Sequence, residues 1–234
     1  LENLLNEAAI MAAKAGRGYV TQIDIKHAFI KVGIGAEKRS KVISEKEKKI
    51  TAYHEAGHAI LFHVLPDMDP VYTISIIPTG IGAAGYTMPL PENDDIFSTK
   101  GKMLQDITTL LGGRVAEELV FVDITTGASN DIKRATSTAR AMVMQYGMSE
   151  KMGLIAYGNE GDEVFIGRDL AHTRSYSEEV AKEIDQEIHD IIDGCHAKAK
   201  EIILQHMDVL HKCAELLLEK EKVQRDEFEA LFTS

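Results

Sequence analysis

The sequence predicts a mainly α-helical (α+β) domain with one small β element. Three observations carry this. Apolar residues recur at helical spacing through most of the 234 residues. Only two short runs, both between residues 71 and 88, read as strands. Hydrophobic residues make up 44% of the chain, enough to fill a core, so global disorder is excluded.

Residues 1–35 read as two helices. Leu1, Leu4, Leu5, Ala8, Ala9 and Ala12 form the first stripe, which Gly16 and Gly18 end. Thr21 is an N-cap for the second, which carries Ile23, Ala28, Phe29 and Val32 before Gly33 and Gly35. So short a pair cannot bury a core alone, and it is expected to be the tail of an upstream domain. The chain opens at Leu1 in mid-pattern, so it is expected to be a piece of a longer protein. Residues 36–49 are a charged connector running into a helix start. Ser44 and Glu47 form a capping box, and Pro66 stops the helix after about Val64. Val71–Ile77 is β-branched and alternating, and Ala83–Met88 is a second short strand after a turn at residues 78–82. Pro89, Pro91 and Asn93–Asp95 mark a loop.

Ser98 is the expected cap of a helix carrying Met103, Ile107, Leu110, Leu111, Val115 and Leu119. Gly112-Gly113 inside it costs about 1 kcal/mol per glycine relative to alanine, which points to close backbone packing. After a turn at Thr125–Gly127, a further helix is expected to turn Ile132, Ala135, Ala139, Met142, Val143 and Tyr146 inward and to end at Gly147. Residues 153–172 hold four spaced glycines and are expected to form a mobile loop. The last third is helical: one stripe runs from Val180 to Ala199, a second holds Val209 to Leu217, and a short final helix holds Phe228, Leu231 and Phe232.

Charge narrows the function. There are 37 acidic against 26 basic residues, a net charge of −11, and no tryptophan. Nucleic-acid binding rests on clustered cations and stacking aromatics, so nucleic acid is not an expected partner. Cys195 and Cys213 both fall on helical stripes, which excludes a disulfide framework. No apolar run reaches the ~20 residues of a membrane-spanning helix, so any membrane anchor is expected outside this chain.

The informative motif is His54-Glu55-Ala56-Gly57-His58. Residues i and i+4 stand one above the other on a helix, so two imidazoles there can take two corners of a zinc tetrahedron. Glu55 can reach a water on the same ion, whose pKa the metal lowers, and accept its proton. Tyr53, Ala56, Ile60 and Val64 form a separate apolar face, which leaves the histidines beside the core. A zinc hydrolase needs a third protein ligand and an open position. His63 is one step out of register for the H-x-x-G-x-x-H extension, which leaves Glu117, Glu118 and Asp131 as acidic candidates. Asp131, near a helix start, could equally be a capping residue, and Glu117 could orient an imidazole instead.

Further blocks follow in order: Ser75-Ile76-Ile77-Pro78, Leu111 to Glu118 (LGGRVAEE), Thr126 to Asp131 (TGASND) and Gly147 to Gly153 (GMSEKMG). With the motif, they resemble the protease domain of the FtsH family, the membrane-anchored ATP-dependent AAA+ zinc proteases. The resemblance spans essentially the whole chain. It implies that His54, His58 and Asp131 bind one zinc ion, that Glu55 is the catalytic base, and that Glu117 lies beside the zinc site. It implies residues 1–35 as the last helices of an AAA+ lid and residues 36–234 as the zinc metalloprotease domain. It further implies a homohexamer, unfolded and membrane proteins as substrates, and a bacterial inner membrane with the protease facing the cytoplasm, or an organelle membrane. No G-x-x-x-x-G-K-[ST] occurs, so ATP use would belong to the upstream module. An extended substrate could add to a sheet edge offered by Tyr72–Ile77 or Ala83–Tyr86. One departure stands out: Val120–Ile124 lacks a glycine the family pattern carries. The rival readings are another zinc amide hydrolase, which usually wants a cysteine ligand, and a non-catalytic helical module.

Overall fold

The computed structural model describes residues 1–38, 43–80, 83–91, 95–157 and 176–233. Parts of the connector, of the turn at 78–82 and of the 89–95 loop, and most of the glycine-spaced segment after 153, lie outside the described residues.

Two helices open the chain, α1 (Glu2–Lys14) and α2 (Gln22–Ile34). Thr21 closes a capping box with Asp24, whose carboxylate also takes both arms of Arg17 at 2.7 Å. The next helix, α3 (Glu45–Val64), begins with the Ser44–Glu47 box and ends before Pro66 as expected. Two strands follow, β1 (Val71–Ser75) and β2 (Tyr86–Pro89), paired antiparallel. β1 stops two residues short of the expected end because the Ser75 hydroxyl accepts the Ile77 N–H at 3.2 Å, which turns the backbone out of the ladder. β2 starts three residues late, since Ala83 is engaged in a turn through Thr79 N–H.

The long helix α4 (Lys100–Phe121) is capped by Thr99, not Ser98: its hydroxyl accepts the Lys102 N–H at 3.1 Å. A 3₁₀ turn (Thr126–Ala128) leads into α5 (Ser129–Met144). On α5 the inward stripe is Ala135, Ala139, Met142 and Val143, whereas Ile132 and Tyr146 are exposed. Then come α6 (Glu178–Gln205), α7 (Met207–Lys220), a strand β3 (Lys222–Gln224) and the short α8 (Arg225–Glu229). β3 was not expected. It follows a left-handed turn at Glu221 and pairs antiparallel with β1, so the sheet order is β2-β1-β3. β1 is therefore central, with a neighbour on each side, and β2, which meets the expected Ala83–Tyr86 edge only at Tyr86, is a terminal strand.

α3 and α4 lie together at the centre. α3 packs with α4, α7 and β1 around Ile60, Leu61, Val115, Leu210 and Phe228, and the N-terminal half of α4 packs with α5 and α6 around Ile107, Met142 and Ile184. Fully burying each such side chain contributes about 1.5–3 kcal/mol. Among the described residues no helix is long and apolar enough to cross a membrane.

Candidate metal centre

His54, Glu55 and His58 sit in the middle of α3, all buried. What brings α4 against them is the absence of side chains. A Cβ on Gly57 would lie 2.5 Å from the Gly112 carbonyl oxygen, and one on Gly113 would lie 2.4 Å from the His54 ring. The paired glycines of α4 thus let its backbone close on α3 and on the first imidazole.

Both imidazoles are then oriented from α4. His54 Nδ1–H donates to Glu117 Oε1 at 2.8 Å, and His58 Nδ1–H donates to the Thr109 carbonyl at 2.7 Å. With Nδ1 protonated, each neutral ring presents a lone pair at Nε2. The two Nε2 atoms stand 3.1 Å apart, and Asp131 Oδ2 lies 3.4 Å from the first and 3.6 Å from the second. Three acceptor atoms thus converge, a repulsive arrangement unless a cation or a proton stands among them. A tetrahedral zinc with bonds of about 2.0–2.1 Å has edges of about 3.3–3.4 Å, so the donor set fits that ion. Among the described residues, His54, His58 and Asp131 are the group whose donor atoms lie within 4.8 Å of one another.

The electrostatics agree. Burial pulls the His54 pKa down, but the Asp131 and Glu117 carboxylates outweigh it and hold it up at about 10. Asp131, despite burial, is held well below the usual carboxylate range by the two imidazoles. Glu117 is lowered too, since its bonds to His54 and the Thr125 N–H outweigh burial. Glu55 goes the other way, pushed up by burial against the pull of the imidazoles. A group of anions that drives the buried His54 imidazole to take a proton is a group that demands positive charge.

Glu117 also explains how Asp131 arrives. Its second oxygen accepts the Thr125 N–H at 2.8 Å, and Arg114 donates to the Thr125 carbonyl at 2.8 Å. One turn of α4 therefore fixes both His54 and the loop that feeds the first turn of α5, where Asp131 sits. Of the other carboxylate candidates, Glu118 faces α6 and pairs with His196 at 3.0 Å. His63 stacks on Phe232 away from the centre. Cys195 and Cys213 are buried in the two core clusters, and neither belongs to the donor group. One contact had no signal in the sequence: the Thr87 hydroxyl of β2 bonds Glu55 Oε2 at 2.8 Å.

Fold and site together define a helical metal-dependent hydrolase domain built on an H-E-x-x-H helix with an aspartate brought in from a second helix. Comparison with known proteins gives the family. The profile described as Peptidase family M41 matches residues 41–231. The chain is 56% identical over 231 residues to the ATP-dependent zinc metalloprotease FtsH of Caldicellulosiruptor bescii, covering 99% of this chain and 37% of that protein. It is 52% identical over 232 residues to FtsH 1 of Thermoanaerobacter sp., covering 99% of this chain and 38% of that protein. It is 50% identical over 233 residues to FtsH of Thermotoga maritima, covering 100% of this chain and 38% of that protein. The chain belongs to Peptidase family M41, and it spans under two fifths of the length of these relatives.

Proposed function

We propose that this chain is the zinc-dependent endopeptidase part of a longer, ATP-driven membrane protease. The observation that carries the reading is the convergence of His54 Nε2, His58 Nε2 and Asp131 Oδ2 beside the buried Glu55. His54, His58 and Asp131 would hold one zinc ion. When bound, zinc supplies Lewis acidity, polarising the scissile carbonyl and making water a stronger acid. Glu55 accepts the proton of the attacking water and gives it to the leaving amine. Its burial pushes the carboxyl's proton affinity up, which suits a group that must accept a proton from water. Glu117 and the Thr109 carbonyl keep each imidazole in the tautomer that turns Nε2 toward the metal. An extended substrate would pair with β2, a terminal strand of the sheet.

The relatives' names, ATP-dependent zinc metalloproteases, support the ATP-driven part of the reading, and the rest of the setting rests on the family resemblance. ATP would be hydrolysed by an upstream AAA+ module, of which α1 and α2 would be the last lid helices. A homohexamer, an N-terminal membrane anchor, unfolded and membrane proteins as substrates, and a cytoplasmic face of the bacterial inner membrane (or an organelle membrane) complete the proposal.

The test is Glu55→Gln, with cleavage of casein and of a formyl-peptide followed alongside zinc content. The expected variant keeps one zinc per chain and loses casein cleavage. A variant that cleaves casein like the wild type would remove Glu55 as the base. Formyl-peptide turnover with no casein cleavage in the wild type would favour a small-amide hydrolase instead.

A further inference from the structure

We propose that Thr87 is a positioning residue for the Glu55 carboxylate, its hydroxyl fixing the side chain assigned above as the base. The inference rests on that assignment. The Thr87 Oγ1 lies 2.8 Å from Glu55 Oε2 and 3.0 Å from the Glu55 backbone oxygen. A hydroxyl has one proton, so the two oxygens share one donor. Among the described residues, Thr87 is the side chain that hydrogen-bonds the Glu55 carboxylate. A glutamate has several rotatable bonds, and holding it in one rotamer opposes an entropy of up to about 1.5–2 kcal/mol. An anchored carboxylate meets its substrate already oriented, whereas a displacement of about 1 Å at a reacting group can cost about 100-fold in rate.

Thr87 is itself held from several sides. Its strand is paired to β1, with Thr87 opposite Ile74 and Tyr86 opposite Ser75. Strand alternation turns Tyr86 and Met88 to the opposite face, where both are buried in a cluster with Ile30 of α2. The threonine is β-branched, which restricts its own χ1. The residue that lets β2 come this close is Gly85. A Cβ there would lie 2.7 Å from the Ser75 carbonyl oxygen, 2.7 Å from Thr51 Cγ2 and 3.0 Å from Glu55 Cγ. The strand therefore enters in van der Waals contact with the helix turn that bears Glu55. Thr87 follows two residues later as a donor mounted on a rigid element.

The test compares Thr87→Val, which keeps shape and removes the hydroxyl, with Thr87→Ser, which keeps the hydroxyl. Glu55→Gln is run beside them. Readouts are kcat and KM on an unstructured fluorogenic peptide, zinc content, melting temperature, and a crystal structure of T87V. T87V is expected to lower kcat by about 10–100-fold with KM within about twofold of wild type. It keeps one zinc per chain, and the Glu55 carboxylate leaves its place beside residue 87. T87S is expected to recover kcat to within about threefold of wild type. If T87V does not fold, T87A is held to the same criteria. A kcat within about twofold of wild type in T87V, with E55Q inactive, overturns the role of Thr87 and leaves the base in place. Equal losses in T87S and T87V overturn it as well, because shape and not the hydroxyl would then matter, as does an unmoved Glu55 carboxylate in T87V. Wild-type activity in E55Q overturns the base assignment and this inference with it.

Discussion

Val122→Gly is expected to stabilise the protein, and the reason lies in one backbone angle. Val122 follows the last turn of α4 with φ 53° and ψ 21°, in the left-handed region. There an L-residue's Cβ crowds its own carbonyl, at about 1–2 kcal/mol, and a β-branched residue stands at the upper end. Glycine removes that strain but has more freedom to lose on folding, which returns about 0.5–1 kcal/mol. Val122 is 92% exposed, so its side chain takes almost no packing with it when removed. The net gain is about 1 kcal/mol, which for a chain of this size is about 2–4 °C in Tm. Calorimetry in a fixed excess of zinc measures it, since a changing metal load would shift Tm by mass action. Val122→Ala keeps the Cβ and is expected to gain less than half as much. A V122G protein that melts at or below the wild-type temperature would refute the strain argument. So would an alanine variant that gains as much as glycine, because the cost would then lie in branching and not in φ.

Two further outcomes follow from the metal centre. Gly113→Ala places a methyl where the His54 ring now sits, 2.4 Å from its atoms. Alanine is ordinarily the better helix former by about 1 kcal/mol, yet here zinc affinity is expected to fall about 10–100-fold, as when an imidazole's support is disturbed. Chelator competition reads this, and wild-type affinity would mean that α4 can give way. In the zinc-free protein His54 holds its proton up to about 10, against an ordinary 6.5. A raised pKa adds stability that is complete below 6.5 and is lost as pH climbs through about 10. The Tm of EDTA-treated protein is therefore expected to fall across that window while the zinc-loaded Tm holds. A ring resonance assigned to His54, by its loss in His54→Gln, that titrates near 6.5 in the zinc-free protein would contradict it.

Much of the fold was legible because its signals are local. The Thr21 cap and the Ser44–Glu47 box are each signalled within four consecutive residues, and both form as read, Thr21 gaining Asp24 as a reciprocal partner. Gly112-Gly113, costly in an isolated helix, announced close packing that the structure realises at Gly57 and His54. The errors fall where neighbours compete or where the partner is distant. Ser98 and Thr99 are adjacent residues able to cap, which the sequence does not distinguish, and it is the Thr99 hydroxyl that accepts the Lys102 N–H. Ile132 lies on nearly the same azimuth as Ala139, seven residues on, but sits in the first turn of α5, and Tyr146 lies past its last residue, Met144; both are exposed. β3 has three residues, too few for a period, and exists because β1 offers it a ladder. Within the site, the H-E-x-x-H pair was local, whereas spacing alone left Glu117, Glu118 and Asp131 open as acidic candidates, and the family resemblance was needed to tell them apart. Thr87 could not be found from sequence, because its partner lies 32 residues away across a strand–helix contact.

The departure from the family pattern and the metal centre meet in α4. Its last turn carries Glu117, which binds His54 with one oxygen and the Thr125 N–H with the other, and its end carries the strained Val122. Glu117 is 1% exposed, so as an anion it needs both donors. His54 can donate from Nδ1 either as a neutral ring or as an imidazolium, and only the neutral ring has a lone pair left at Nε2. The Glu117 bond is therefore compatible with a proton or with a metal on the far side of the ring, but not with both. Zinc binding must displace that proton wherever pH is below about 10. The carboxylates that raise the imidazole's proton affinity are the same ones that raise its affinity for zinc. An ion held as proposed would draw on three donors at once, His54, His58 and Asp131, where a proton can satisfy at most a pair.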